Sequence, residues 1–244
     1  HPSQVGGADV VTDAMAVATA KDVDLVVEVM GGTTLAGEVI RAALEAGKPV
    51  VTANKALLAA RSAEFFKIAD ERGIDLLFEA AVCGGIPLIR PLRESLRGEP
   101  IRRVLGIVNG TTNFILTKMT EDGLDYASAL RGAQQLGYAE ADPTADVEGL
   151  DAAAKIAIVA NFAFGVHVVA DDVSVEGISK LSAGDIAMAH KFGYAIKLLG
   201  VAECDVQSGA VSVRVHPALV PLKHPLAAVR EAFNAVLVEG EASG

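Results

Sequence analysis

Lys155 stands inside "LDAAAKIAIVANFAF", residues 150–164, a stretch apolar nearly all round that marks a buried helix, not an amphipathic surface one. Burying an unpaired ammonium is expensive, and Asp151, four residues earlier, lies one helical turn away and offsets that cost. Two uses fit the pair: a structural ion pair at the mouth of a core helix, or a proton-transfer lysine that Asp151 holds against a cleft. Just upstream, Glu140, Asp142, Asp146 and Glu148 are interspersed with glycine and proline, which predicts an acidic loop. Acids ahead of a helix complement its amino-terminal dipole, which accounts for about two of the four. A carboxylate cluster beside a lysine also suits recognition of a substrate ammonium.

Three further segments could carry chemistry. Lys55 in "TANK" follows an apolar run, and is either a solvated first-turn lysine or one that reaches cofactor or substrate. In "FEAAVCGGIP", Glu79 precedes a glycine turn whose carbonyls can converge on a hard cation. "NGTTN", residues 109–113, is a helix cap or a polar contact to a ligand. Cys83 reads as a small buried apolar residue. The five histidines are scattered and form no cluster.

The elements that must position these residues are legible from hydrophobic periodicity. Apolar runs at 23–32, 48–55 and 73–87 predict buried strands, and the segments between them, 34–47 and 55–73, repeat at three and four and end on glycine, as helices do. Strand and helix alternating in units of roughly 25 residues imply parallel pairing with right-handed crossovers. That is half of a doubly wound, Rossmann-type nucleotide-binding fold, whose ligands sit at the carboxyl ends of the strands. Gly31, Gly32, Asn54 and Lys55 then share one rim with the turn after residue 79. A phosphate-cradling GxGxxG is absent from the sequence, although a Gly6–Gly7 pair occurs, so a first βαβ unit is expected to be missing.

After Pro87 the pattern changes to α+β. Helices are predicted over 88–98, 111–123 and 125–137, a strand over 101–110, a helix running into a strand over 182–204, and an antiparallel hairpin closed by "DVQSG". The last segment, 224–244, predicts a helix and a strand. The expected domains are an incomplete dinucleotide-binding domain at 1–87, a substrate-binding, catalytic and dimerisation domain at 88–230, and a return toward the first domain at 231–244.

Composition bounds the partners. The chain has 244 residues, 51% hydrophobic and 21% charged, enough to bury a substantial core. A net charge of −10 argues against nucleic acid, because phosphate binding needs clustered lysine and arginine. Two cysteines with no metal-ligand spacing support neither a disulfide framework nor a zinc site. The longest weakly charged stretch, 156–170, is too short for a bilayer span, and the start has no basic region followed by an apolar core. A cytoplasmic location with no membrane partner is therefore expected.

In this order and spacing, "ANKALLA", "EAAVCGGIPLI", "GIVNGTTNFILTKM" and especially "LGYAEADPTADVEGLDAAAKIAI" resemble homoserine dehydrogenase. The resemblance runs from about residue 23 to 166 and more loosely to the end. It implies NAD- or NADP-dependent interconversion of L-aspartate 4-semialdehyde and L-homoserine in threonine, methionine and isoleucine biosynthesis, by a homodimer. It implies that Lys155 is the proton donor and that Lys55 is a second catalytic lysine touching cofactor and substrate, either ammonium being able to stabilise and protonate the developing alkoxide. Glu140 and Asp151 become homoserine-binding acids, with Asp146 beside them and Tyr138 and Thr111 as further substrate contacts. Gly137 becomes the glycine that approaches the cofactor, joined there by Gly31, Gly32 and Glu140. Glu79, with the carbonyls of Val82, Gly84 and Ile86, becomes a sodium site. Two other expectations stay open: a related amino-acid semialdehyde dehydrogenase, or a non-catalytic dimerisation or ligand-binding module.

Overall fold

A computed structural model of the chain describes residues 7–242, and the chain divides between Phe78 and Glu79 into two compact units. Gly6 lies outside the described residues. The first unit runs α1 (Ala14–Thr19), β1 (Val26–Glu28), α2 (Leu35–Glu45), β2 (Val50–Thr52), α3 (Lys55–Arg72) and β3 (Leu76–Leu77). The three strands form a parallel sheet in the order β1-β2-β3, with Val26 opposite Val50 and Val50 opposite Leu76. This is the predicted alternation. Asn54 caps α3 by accepting from the Leu57 amide, and Gly73 ends that helix in the left-handed region at φ 64°, where a side chain would be strained. Helix α1 is an addition to the reading; its start is Asp13, whose carboxylate accepts from the Ala16 amide at 2.9 Å.

The strand expected over 73–87 is cut to two residues, for a local reason. Immediately after it, Glu79–Ala81 coil into a 3-10 turn. The Glu79 carboxylate accepts from the amides of Leu88, Ile89 and Arg90 at 2.5, 2.8 and 2.9 Å, which pulls the chain back on itself instead of letting it extend. Cys83 and Gly84, at φ 56° and 57°, make the bend.

The second unit contains β4 (Ile101–Ile107), α4 (Gly110–Glu121), α5 (Tyr126–Gln135), α6 (Thr144–Val147), α7 (Leu150–Phe164), β5 (Ser174–Val175), α8 (Ala183–Lys191), β6 (Tyr194–Cys204), β7 (Val211–Pro221) and β8 (Ala235–Gly240). Its mixed sheet has the order β5-β7-β6-β4-β8, antiparallel except where β5 runs parallel to β7. The hairpin predicted around "DVQSG" pairs Tyr194 with Pro221 and Cys204 with Val211. Helix α7 packs on β4, β6 and β7. Its Ile156 lies over Gly200, where even a methyl group would come to 3.1 Å from the isoleucine Cβ. Fully burying each such isoleucine stabilises the unit by about 1.5–3 kcal/mol.

Three segments depart from the reading. The helix predicted over 88–98 is shortened to residues 89–95 and is wound as a π-helix over Pro91–Ser95. The acidic loop contains a helical turn, α6, whose first turn includes Asp146. The helix expected at the start of 224–244 is a 3-10 turn, Pro225–Ala228, followed by irregular chain. There Asn113 Nδ2 donates to the carbonyls of Glu231 and Phe233 at 2.9 and 3.2 Å, and Lys197 Nζ donates to the Val229 carbonyl. Those carbonyls are captured by buried side chains, which wins over local helical periodicity.

Candidate active site

The joint between β4 and α4 organises the site in the second unit. Strand β4 delivers Val108 and Asn109 to the amino-terminal end of α4, where Asn109 Oδ1 accepts from the Thr112 amide at 2.8 Å and the Thr112 hydroxyl at 2.9 Å. Lys155 reaches this joint from α7. Its Nζ donates to Asp151 Oδ2 at 2.7 Å and to the Val108 carbonyl at 2.8 Å. Asp151 is 7% exposed, while the lysine side chain keeps 15% of its surface open. An ammonium has three N–H groups, and the third finds no protein acceptor among the described residues. Asn109 Nδ2 then donates to both Asp146 Oδ1, at 2.7 Å, and Asp151 Oδ2, at 2.9 Å. Asp146, Asn109, Asp151 and Lys155 therefore form one continuous chain of hydrogen bonds.

The rest of the acidic segment divides into different jobs. Asp142 accepts from the Thr144 hydroxyl at 2.6 Å and the Thr144 amide at 3.1 Å, and these bonds hold its carboxyl below the usual range. It shapes the start of α6. Glu140 is exposed, and its carboxylate has no protein partner among the described residues. Gly137 ends α5 at φ 78°, with nothing within 4 Å of a Cβ built on it, so its backbone is open to solvent. Thr111 donates to the Tyr138 carbonyl at 2.6 Å, and the Tyr138 ring leans on Phe114 with centroids 4.9 Å apart. Behind the segment, Gly177 passes so close that a Cβ there would lie 2.4 Å from the Val147 carbonyl oxygen.

The turn after Glu79 lies in the same unit. The carbonyls of Val82, Gly84 and Ile86 accept no backbone hydrogen bond among the described residues, whereas those of Glu79 and Cys83 do. Cys83 is 3% exposed, and burial pushes its thiol up to about 11, with Lys155 opposing and Asp151 adding to that shift. This coupling brings the turn near the lysine pair and makes Cys83 a packed thiol, not a nucleophile.

In the first unit the carboxyl ends of the parallel strands carry a buried polar knot. Glu28, 1% exposed, accepts from the Met30 and Gly31 amides at 2.8 and 3.2 Å and from the Thr52 hydroxyl at 2.6 Å. Asn54 Nδ2 donates to the Gly32 carbonyl at 2.7 Å. Gly31 and Gly32 sit at φ 75° and 74°, with nothing within 4 Å of either built Cβ. Lys55, half-buried, is the first residue of α3. Backbone bared at a strand-to-helix rim is where a dinucleotide can approach closely.

Two participants escaped the sequence reading. Asn109 was one of several residues in a capping motif, and its bridging of two acids has no sequence signature. Glu28 lay inside an apolar run; a lone carboxylate in a buried strand was the signal for it.

Residues 1–79 match the family described as "Homoserine dehydrogenase, NAD binding domain", and residues 87–244 match "Homoserine dehydrogenase". The chain is 57% identical over 235 residues to a homoserine dehydrogenase of Corynebacterium glutamicum, covering 95% of this chain and 53% of that protein. It is 60% identical over 227 residues to that of Mycobacterium tuberculosis, covering 92% and 52%. The crystal structure of a homoserine dehydrogenase from Thiobacillus denitrificans is similar at TM-score 0.94 and 45% identity, over 99% of this chain and 56% of that one. A hyperthermophilic archaeal homoserine dehydrogenase in complex with NADPH is similar at TM-score 0.83 and 29% identity, over 99% and 70%. The chain spans about half the length of the curated relatives it matches.

Proposed function

The chain belongs to the homoserine dehydrogenase family, and from that premise we propose that it carries the catalytic core for NAD(P)-dependent interconversion of L-homoserine and L-aspartate 4-semialdehyde. The observation that carries the mechanism is the Lys155 ammonium, fixed by Asp151 and the Val108 carbonyl with one N–H to spare. In the reducing direction a nicotinamide cofactor supplies hydride to the aldehyde carbon. Negative charge then develops on the carbonyl oxygen, and Lys155 Nζ hydrogen-bonds it and gives up a proton as the alkoxide forms. Asp151 and the Val108 carbonyl restrict the ammonium to one position, so it meets the oxygen without reorganisation. Asp146 and Asp151, with Glu140 from the lip of the site, suit a substrate α-ammonium, and Tyr138 and Thr111 border the same lip.

The first unit, as the dinucleotide-binding domain, would hold the cofactor at Gly31, Gly32 and Lys55; Gly137 and Glu140 are proposed as cofactor contacts on the family resemblance. The bared backbone of the two glycines fits a pyrophosphate or ribose at that rim. NADP is the first cofactor to test, since the archaeal relative is described with NADPH. A sodium ion fits the Glu79 turn: a hard cation takes oxygen ligands, and the carbonyls of Val82, Gly84 and Ile86 are not spent on backbone bonds. It would stiffen the bend beside Lys155. A homodimer formed through the second unit is supported by exposed Phe192, Leu219 and Met188 around a groove of about 740 Å³. No helix among the described residues is long and apolar enough to cross a membrane, and a cytoplasmic location is proposed with that.

The test is homoserine-dependent reduction of NADP and NAD by the full chain and by Lys155→Ala. Loss of about 10²–10⁴-fold in kcat, with homoserine binding retained by calorimetry, is expected of a proton-transfer group. Near-parental turnover in Lys155→Ala would sink the assignment.

A further inference from the structure

Glu28 ends β1 with its side chain buried, 1% exposed, a carboxylate that the proposed chemistry leaves unused. Its Oε1 accepts from the Met30 and Gly31 amides at 2.8 and 3.2 Å, and its Oε2 from the Thr52 hydroxyl at 2.6 Å. Thr52 stands opposite Glu28 in the parallel pairing of β1 with β2 and is equally buried; its hydroxyl also accepts from the Asn54 amide at 3.0 Å. Asn54 closes the circuit, donating from Nδ2 to the Gly32 carbonyl at 2.7 Å while its Oδ1 accepts from the Leu57 amide at 3.1 Å. One chain of hydrogen bonds thus joins the loop after β1 to the first turn of α3, where Lys55 sits.

We propose that Glu28 is a positioning residue for the cofactor: its buried carboxylate, tied through Thr52 to Asn54, holds the Gly31–Gly32 loop and the first turn of α3 in the arrangement that receives a nicotinamide dinucleotide. This rests on the reading of that rim as cofactor-binding and adds to it what fixes the shape of the rim. Gly31 and Gly32, at φ 75° and 74°, restrict their own backbone least of all residue types, and nothing packs within 4 Å of a Cβ built on either. A loop of that kind, left to itself, samples many conformations and must be ordered by the ligand as it binds. The carboxylate orders it beforehand: a charged acceptor bonds amides more strongly than a neutral one, and burial keeps water from competing. Glutamine in its place turns an NH2 toward either the two amides or the Thr52 hydroxyl, and the charge is lost in both cases. Glu28 touches neither cofactor nor substrate in this scheme, so its effect falls on cofactor affinity and not on homoserine binding.

The test is NADP affinity of the full chain by calorimetry, with hydrogen exchange of the Met30 and Gly31 amides followed by NMR in the cofactor-free protein. Thr52→Val removes the hydroxyl that Glu28 and Asn54 share, Thr52→Ser keeps it, and Glu28→Gln keeps the shape of the acid without its charge. Expected is a rise of about tenfold in NADP Kd for Glu28→Gln and Thr52→Val, the scale of one lost charge-assisted hydrogen bond, with Thr52→Ser within about twofold of the parent. Exchange of the two amides should quicken in Glu28→Gln, and homoserine Kd should stay within about twofold throughout. Ile40→Val, at a fully buried position of α2, is the control: it should lower Tm and leave NADP Kd unchanged. NADP Kd within about twofold of the parent in both Glu28→Gln and Thr52→Val overturns the inference. So does an equal weakening in Ile40→Val or in Thr52→Ser, since either would make the knot a matter of stability alone. Should Glu28→Gln fail to fold, the two Thr52 variants decide by themselves. A parent that binds neither NADP nor NAD overturns the reading beneath it; a binding parent with unaffected variants overturns this step only.

Discussion

Two lysines of the second unit are buried against apolar surroundings, and the chain uses them differently. Lys155 has a third N–H with no protein acceptor among the described residues, whereas Lys197 on β6, 5% exposed, spends its ammonium on Asn113 Oδ1 at 2.9 Å and on the Val229 carbonyl. Burial lowers Lys197 from 10.5 to about 8, with Arg230 adding to the shift and Glu121 opposing it. Between about pH 8 and 10.5 the unfolded chain therefore binds the proton that the folded chain has released, and stability from this group rises with pH. Cys83 works in the opposite sense above its ordinary 9.0, because the folded thiol stays protonated up to about 11. The urea midpoint is thus expected to climb from pH 7.5 to 9 and to stop climbing beyond. A Lys197→Met variant should be flat over that first interval; an unchanged slope would show that another group titrates there. At this scale Lys155 with Asp151 was legible because the pair is local, four residues apart on one helix. Lys197 left the same signature, a lone ammonium in an apolar run, but its partner Asn113 lies 84 residues away and only folding identifies it.

Among the elements, the acidic segment is held from behind by the loop after β5. The Ile178 amide donates to the Val147 carbonyl at 2.8 Å, and Gly177 leaves no room for a side chain, with Glu148 Cα 2.5 Å from a built Cβ. The obstruction is backbone, so it cannot swing aside as a flexible side chain would. Gly177→Ala should destabilise the second unit by about 1–3 kcal/mol, the usual range for overpacking, and raise homoserine KM by moving α6 and Asp146. Urea unfolding followed by tryptophan-free methods such as circular dichroism, together with steady-state kinetics, checks both; a parental midpoint would mean that the loop yields freely. Helices α2, α3, α4, α5 and α7 were legible from three-and-four periodicity, capping residues and terminal glycines. The early end of the strand in 73–87 and the loss of the helix at the start of 224–244 were not, because carboxylate and amide side chains compete there for backbone groups and override local propensity.

The two units divide the proposed work, and ligands should report that division. Homoserine at a hundredfold excess over its Kd is expected to stabilise the protein by about 2.7 kcal/mol. Its hydrogen-exchange protection should concentrate on the joint at 108–112 and on 144–155, whereas NADP should protect the rim around 28–32 and 52–55. Protection by homoserine confined to the first unit would contradict the division. The sequence alone determined the alternating first unit, the buried α7, the Lys155–Asp151 pair and the family, because periodicity, short spacing and motif order are local properties of the chain. Only the tertiary structure decided that Asn109 bridges Asp146 and Asp151, 37 and 42 residues distant, and that Val108, 47 residues away, receives Lys155. Those contacts follow from how apolar faces stack α7 on β4 and β6, after which each buried polar group must find whatever partner the packing has brought within reach.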